Sequence, residues 1–101
     1  MATLRVQELQ VRGVAHAYII MDGNGTTTLQ HYDSMIVTID HSDWNNKRII
    51  VGKDYNYSRS TGMARNRFMD MFFGDDMNTL KGFEYYMNLG AIGNHTIVKN
   101  W

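Results

Sequence analysis

The hydrophobic period of this chain switches near its middle. Before residue 55 or so, apolar residues alternate or fall in short β-branched runs, and after it they recur every three or four positions. A change of that kind gives strands first and helices after, an α+β fold, rather than a repeating α/β unit. A single domain covering residues 1–101 is expected, because domains of about 100–150 residues are the commonest size.

The strand half contains several short runs. Met35-Ile36-Val37-Thr38-Ile39 is the strongest of them, with Met35, Val37 and Ile39 on one face and Ser34, Ile36 and Thr38 on the other. Gly13 to Met21 and Thr26 to His31 flank Asp22-Gly23-Asn24-Gly25, whose glycines suit the positive φ of a hairpin turn. Arg48-Ile49-Ile50-Val51 returns and stops at Gly52, and Thr96-Ile97-Val98 follows a Gly93-Asn94 turn. Thr3 to Arg12 fits two patterns. Val6 and Leu9, with Thr3 as N-cap and Gly13 as stop, suit a helix, whereas Leu4 with Val6 and Leu9 with Val11 suit a strand. The helix is the favoured reading.

Helices are expected at about 61–73 and 76–89. Ala64, Phe68, Met71 and Phe72 make one apolar stripe, and Met77, Leu80, Phe83 and Met87 make a second. Ser60 or Thr61 should cap the first helix and Asp75 or Asp76 the second, with Gly74 and Gly90 as stops. Tyr85 and Tyr86 lie roughly 100° apart, so at most one can be fully buried. The methionines of these helices read as core filler. The expected architecture is an antiparallel sheet of four to five strands with two helices packed on one face, and room for a short N-terminal helix.

Composition removes several functions. There is no cysteine, hence no disulfide, thiolate catalysis or Cys-based zinc site. No window of about 18 apolar residues exists, so no membrane partner is expected. Met1-Ala2-Thr3-Leu4-Arg5 lacks the apolar run of a signal peptide, and cytoplasmic localisation is expected. No Gly-x-Gly-x-x-Gly follows a strand and no P-loop lysine is present, so no nucleotide cofactor is expected.

Histidines stand at positions 16, 31, 41 and 95. Asp40-His41-Ser42-Asp43 carries potential metal ligands but reads as a solvated loop capping its own backbone, and no metal is expected. His16 reads as a half-buried strand residue. His31, Asp33 and Ser34 fall within four positions of a strand and would point to alternating faces, which opposes a catalytic triad. Asp75 and Asp76 have a structural explanation at a helix start. No catalytic residues are assigned, and the chain reads as a non-enzyme.

The formal net charge is zero but unevenly spread. Lys47, Arg48, Lys53, Arg59, Arg65 and Arg67 face Asp54 alone between positions 47 and 67, while 70–84 and 22–43 are acidic. Basic side chains, tyrosines and a hydroxyl-rich helix start converge from Tyr55 to Gly74. The candidate binding residues are Tyr55, Tyr57, Arg59, Arg65 and Arg67, with the arginines solvated off the apolar stripe. Trp44, among Asp43, Asn45 and Asn46, is either pinned to the sheet or offered as an outlying anchor.

A strand, a polar loop, an Ile-Ile-Val-Gly strand, then Tyr57-Ser58-Arg59-Ser60-Thr61 opening a helix with Arg67-Phe68 resembles small proteins of tailed phages over Leu29 to Phe73. That resemblance implies a phage or mobile-element origin and an inhibitor of a host protein, anti-CRISPR proteins that act on Cas nucleases being one such class. The alternative is a small nucleic-acid binder using the six cations, with Tyr55 and Tyr57 as stacking faces.

Overall fold

A computed structural model describes residues 4–101 of the chain. Strands β1 (Arg5–Glu8), β2 (Ala17–Met21), β3 (Thr26–His31), β4 (Ser34–Asp40) and β5 (Arg48–Val51) precede helix α1 (Arg59–Phe73). A 3₁₀ turn (Gly74–Asp76), helix α2 (Leu80–Leu89) and strands β6 (Ala91–Ile92) and β7 (His95–Lys99) complete it.

The fold is α+β as expected, but the sheet is larger than expected and mixed. Seven strands run in the order β1-β2-β3-β4-β5-β7-β6. The first five form an antiparallel meander. The chain then passes through α1 and α2, so β7 returns parallel to β5. A crossover through helices is what allows parallel neighbours, and a hairpin could not. The two-residue β6 pairs β7 across the Gly93-Asn94 turn.

The N-terminal segment is a strand and not the favoured helix. Arg5 to Glu8 pair β2 in unbroken register. All four side chains are exposed, so burial leaves no period that would separate the two patterns. Thr3, the expected cap, lies outside the described residues.

One sheet face is the core. Ile19, Leu29, Val37 and Val51 stand opposite one another across four strands, as do Thr27, Ile39, Ile49 and Ile97, and all are buried. α1 lies over β3 and β4, and α2 over β6 and β7. On the reverse face Ile20, Thr28, Thr38 and Ile50 form a half-exposed row. The register shifts between Leu29 and Gln30, leaving Ile36 as an extra residue in β4. Ile36 and Val37 are therefore both buried, and the strict alternation expected for this strand fails at the bulge. Gly52 ends β5 where a Cβ would lie 2.1 Å from the Met35 carbonyl oxygen. No other residue fits that approach.

Both helix caps differ from expectation. Ser58 caps α1 from an extended backbone and accepts the Thr61 N–H, so the helix begins two residues early. Thr79 caps α2, accepting the Gly82 N–H. Asp75 and Asp76 instead occupy the 3₁₀ turn, whose Asn78 neighbour donates to Asp70 and Asp75.

Candidate functional site

With Ser58 serving as cap, the Thr61 hydroxyl is free for another partner. Thr61 is 1% exposed, and its Oγ1 lies 2.9 Å from His31 Nδ1. His31 Nε2 lies 3.1 Å from the Ala15 carbonyl oxygen, which can only accept. Nε2 therefore donates, and Nδ1 meets the Thr61 hydroxyl. The Ser58 hydroxyl, 3.0 Å from Thr61 Oγ1, completes a chain of donors that ties α1 to β3. Both His31 nitrogens are engaged. The hydroxyl that meets His31, that of Thr61, is buried and closed to a substrate.

Beside this network is a cleft of about 360 Å³ lined by His31, Tyr32, Asp33, Ser34, Asp54 and Tyr57, together with Ile36, Ser58 and Thr61. Here a sequence expectation is corrected. His31 and Ser34 pair directly across the β3–β4 hairpin, because Tyr32 and Asp33 are a two-residue turn and not strand. The residues read as alternating thus share one opening. They still form no triad, since the Ser34 hydroxyl donates to Asp54 Oδ2 at 3.3 Å.

Tyr32 holds φ at 54°, where glycine is the ordinary occupant of a two-residue hairpin. A side chain there costs about 1–2 kcal/mol. His16, exposed and also at positive φ (58°), is not the half-buried strand residue expected; its carbonyl accepts the Tyr32 N–H at 2.9 Å. The Tyr32 ring packs against His16 and His31, with centroids 4.8 Å apart in each case. It is still 57% exposed, and Tyr57 across the cleft is 80% exposed.

Arg65 was expected to be solvated, and it is 1% exposed. It sits between Thr61, Phe68 and Met69 on the buried side of α1. Its Nη1 donates to the Tyr55 carbonyl at 2.9 Å and to Asn56 Oδ1 at 3.3 Å, and its Nη2 to Asn66 Oδ1 at 2.8 Å. Nε has no partner, and the guanidinium carbon lies 5.3 Å from the Phe83 ring centroid, within cation–π range. Burial lowers its pKa, while Glu84 and Tyr55 act in the opposite sense. Arg65 is a strut between the 52–58 loop and α1.

Tyr55 belongs to the same strut. Its ring stacks on Phe83 and Trp101 at 5.5 and 5.9 Å, and its hydroxyl donates to Glu84 Oε2 at 2.5 Å. Burial first, then the Glu84 hydrogen bond and charge, push its pKa from 10.0 up to about 12. A raised phenol pKa means the folded state holds the proton more tightly. The stability it contributes is complete below pH 10 and is lost as pH rises from 10 to about 12. Denaturant melts across that window should therefore lose stability faster for wild type than for Tyr55→Phe. Parallel curves would contradict the Tyr55–Glu84 bond.

The candidate residues consequently fall into three groups. Tyr55 and Arg65 are structural. Tyr57, Arg59 and Arg67 are exposed at and beyond the α1 start. Arg59 and Arg67, with Met63 between and the 56% exposed Met71 beyond, are spaced four apart along one side of the helix. Trp44 is at the other end: the Lys47 Nζ sits 3.9 Å above its ring and 5.9 Å from Phe73, at the α1 C-terminus. A 15-residue helix spans about 22 Å, so Trp44 does not join Tyr57 and Arg59. It is pinned on one face by Lys47 and remains 63% exposed.

The Asp40–Asp43 loop caps its own backbone. Asp40 Oδ1 accepts from the Ser42 N–H and hydroxyl, and Asp43 Oδ1 from the Asn45 N–H. Among the described residues no three His, Asp or Glu side chains gather as metal ligands, and no helix is long and apolar enough to cross a membrane. No protein-family model matches the chain, and no curated protein or solved structure matches it either.

Proposed function

We propose that this chain is a non-enzymatic protein that binds and inhibits a host protein, Cas nucleases being one class of target among the host defences that its resemblance to tailed-phage proteins points to, with the Tyr57 end of α1 as its contact surface. The observation that supports this reading most is the pair of open tyrosines over the cleft. Tyr57 is 80% exposed and Tyr32 is 57% exposed in a backbone conformation suited to glycine. Local strain of this kind concentrates at functional positions, and Tyr with Arg is the usual anchor chemistry of protein interfaces. Arg59 and Arg67 add forked donors for carboxylates on a partner. The burial of Thr61, whose hydroxyl meets His31, weighs against hydrolytic chemistry in the cleft.

Direct nucleic-acid binding is less well supported. Lys47 is 7% and Arg65 1% exposed, which withdraws two of the six cations from the surface, and Arg48 stands opposite Asp40 in the sheet. The experiment is a plasmid-interference assay in bacteria with an active Cas nuclease, run alongside binding to random oligonucleotides at low salt. Expression of the chain should raise plasmid survival at least tenfold without appreciable oligonucleotide binding. Salt-sensitive oligonucleotide binding with no rescue across several nuclease types would overturn the proposal in favour of the nucleic-acid reading.

A further inference from the structure

We infer that the free edge of β1 pairs antiparallel with β1 of a second copy, joining two seven-stranded sheets into one. The inference is independent of the binding function above and rests on the phase of the β1 backbone. The Leu9 N–H donates to the Ala17 carbonyl at 2.8 Å, so Leu9 faces β2. Backbone direction alternates along a strand, and Gln7 and Arg5, opposite Ile19 and Met21, therefore face β2 as well. On the far side of β2 the Asp22 N–H donates to the Thr26 carbonyl, the alternate phase, as this assignment requires. Leu4, Val6 and Glu8 are left with N–H and C=O groups pointing out of the sheet.

Protein edges are usually blunted by charged side chains, lysine above all, or by proline, a bulge or shortness. Arg5 and Glu8 are the charges on this edge. β1 has neither lysine nor proline, and its register with β2 is unbroken. Leu4 is 67% and Val6 60% exposed. The opposite edge is blunted, because β6 has two residues.

The sequence of the edge selects a second copy as its occupant. Residues directly opposed in an antiparallel pair share a face, and only outward-pointing groups can bond. Val6 opposite Val6 of the second copy, with Leu4 opposite its Glu8, meets both conditions and forms about six interchain bonds. Moving one copy by two residues either way leaves about four, and one of those registers opposes Arg5 to Arg5. In the favoured register Arg5 faces Gln7 and Glu8 faces Leu4, so no like charges meet. Val6 also continues the reverse-face row through Ile20, Thr28, Thr38 and Ile50. A four-residue edge that can pair and a two-residue edge that cannot close the assembly as a two-fold dimer.

The test is amide hydrogen exchange across a dilution series, with mass by analytical ultracentrifugation. The Val6 and Glu8 amides should exchange freely in dilute solution and at least tenfold more slowly at millimolar concentration, as the mass doubles. Arg5 and Gln7 should be protected throughout. Val6→Pro deletes an N–H that no intrachain bond uses, and should stay monomeric with the other amides unchanged. If it does not fold, Val6→Lys serves, since an edge lysine opposes pairing without touching the ladder. Concentration-independent exchange at Val6 and Glu8, or a doubled mass that survives either variant, would overturn the inference.

Discussion

Arg65→Ala should cost about 3–5 kcal/mol, from the loss of a large buried side chain and from buried acceptors left without their donor. For a domain whose total stability is about 5–15 kcal/mol, that is the difference between a folded chain and a partly unfolded one. The loss has three origins: the Tyr55 carbonyl and Asn56 lose their charged donor, Glu84 loses the nearby cation, and a cavity opens beside Phe83. Arg65→Met keeps the length of the stem and removes the fork, and should cost about 1–3 kcal/mol, the penalty of the buried acceptors left unmade. Denaturant melts of the two variants check this. A loss below about 0.5 kcal/mol for Arg65→Ala is what a solvated arginine would show, and it would return Arg65 to the binding surface.

Phe68→Ala should cost a comparable amount, about 3–5 kcal/mol, for a different reason. Phe68 is fully buried with Met69, Phe83 and Met77, and its ring packs against Phe72 at 5.3 Å. Truncation leaves a void that a rigid sheet beneath α1 cannot close. The midpoint temperature should fall by at least about 12 °C at the usual response of a small domain. Met71→Ala should change stability by no more than about 0.5 kcal/mol, because that side chain is 56% exposed. Equal losses at the two positions would mean that α1 is rotated about its axis.

The contrast between Met71 and Arg65 shows what the sequence carried and what it did not. Period and turn chemistry sufficed for β2 through β5, the Gly93-Asn94 turn, β7 and the extent of both helices to within a few residues. Those features depend on neighbours in the chain. Arg65 failed because a helical stripe is read from apolar residues, while a long cation with three neutral acceptors around it fills a core position equally well. Thr61 and Ser58 were exchanged for a similar reason: either hydroxyl can cap a helix, and the choice was made by His31, which lies 30 positions away. The parallel pairing of β5 and β7 is likewise non-local.

The candidate site was legible in its exposed half alone. Tyr57, Arg59 and Arg67 are exposed as expected, at the start and along the open side of α1. The cleft was missed because Tyr32-Asp33 lacks the Gly or Asn that marks a two-residue hairpin. Without that turn, His31 and Ser34 read as neighbours on one strand and not as partners across two. A tyrosine in a glycine conformation is invisible to turn statistics.

The separation of a structural Arg65 from a binding Tyr57, Arg59 and Arg67 is tested most directly by one triple variant, Tyr57→Ser with Arg59→Ala and Arg67→Ala, in the plasmid-interference assay. Its side chains are exposed, so its melting temperature should fall by no more than about 6–12 °C, as three surface substitutions of up to about 0.5 kcal/mol each allow, while its protection of the plasmid falls at least tenfold. A normally folded triple variant that protects the plasmid as well as wild type would contradict the account.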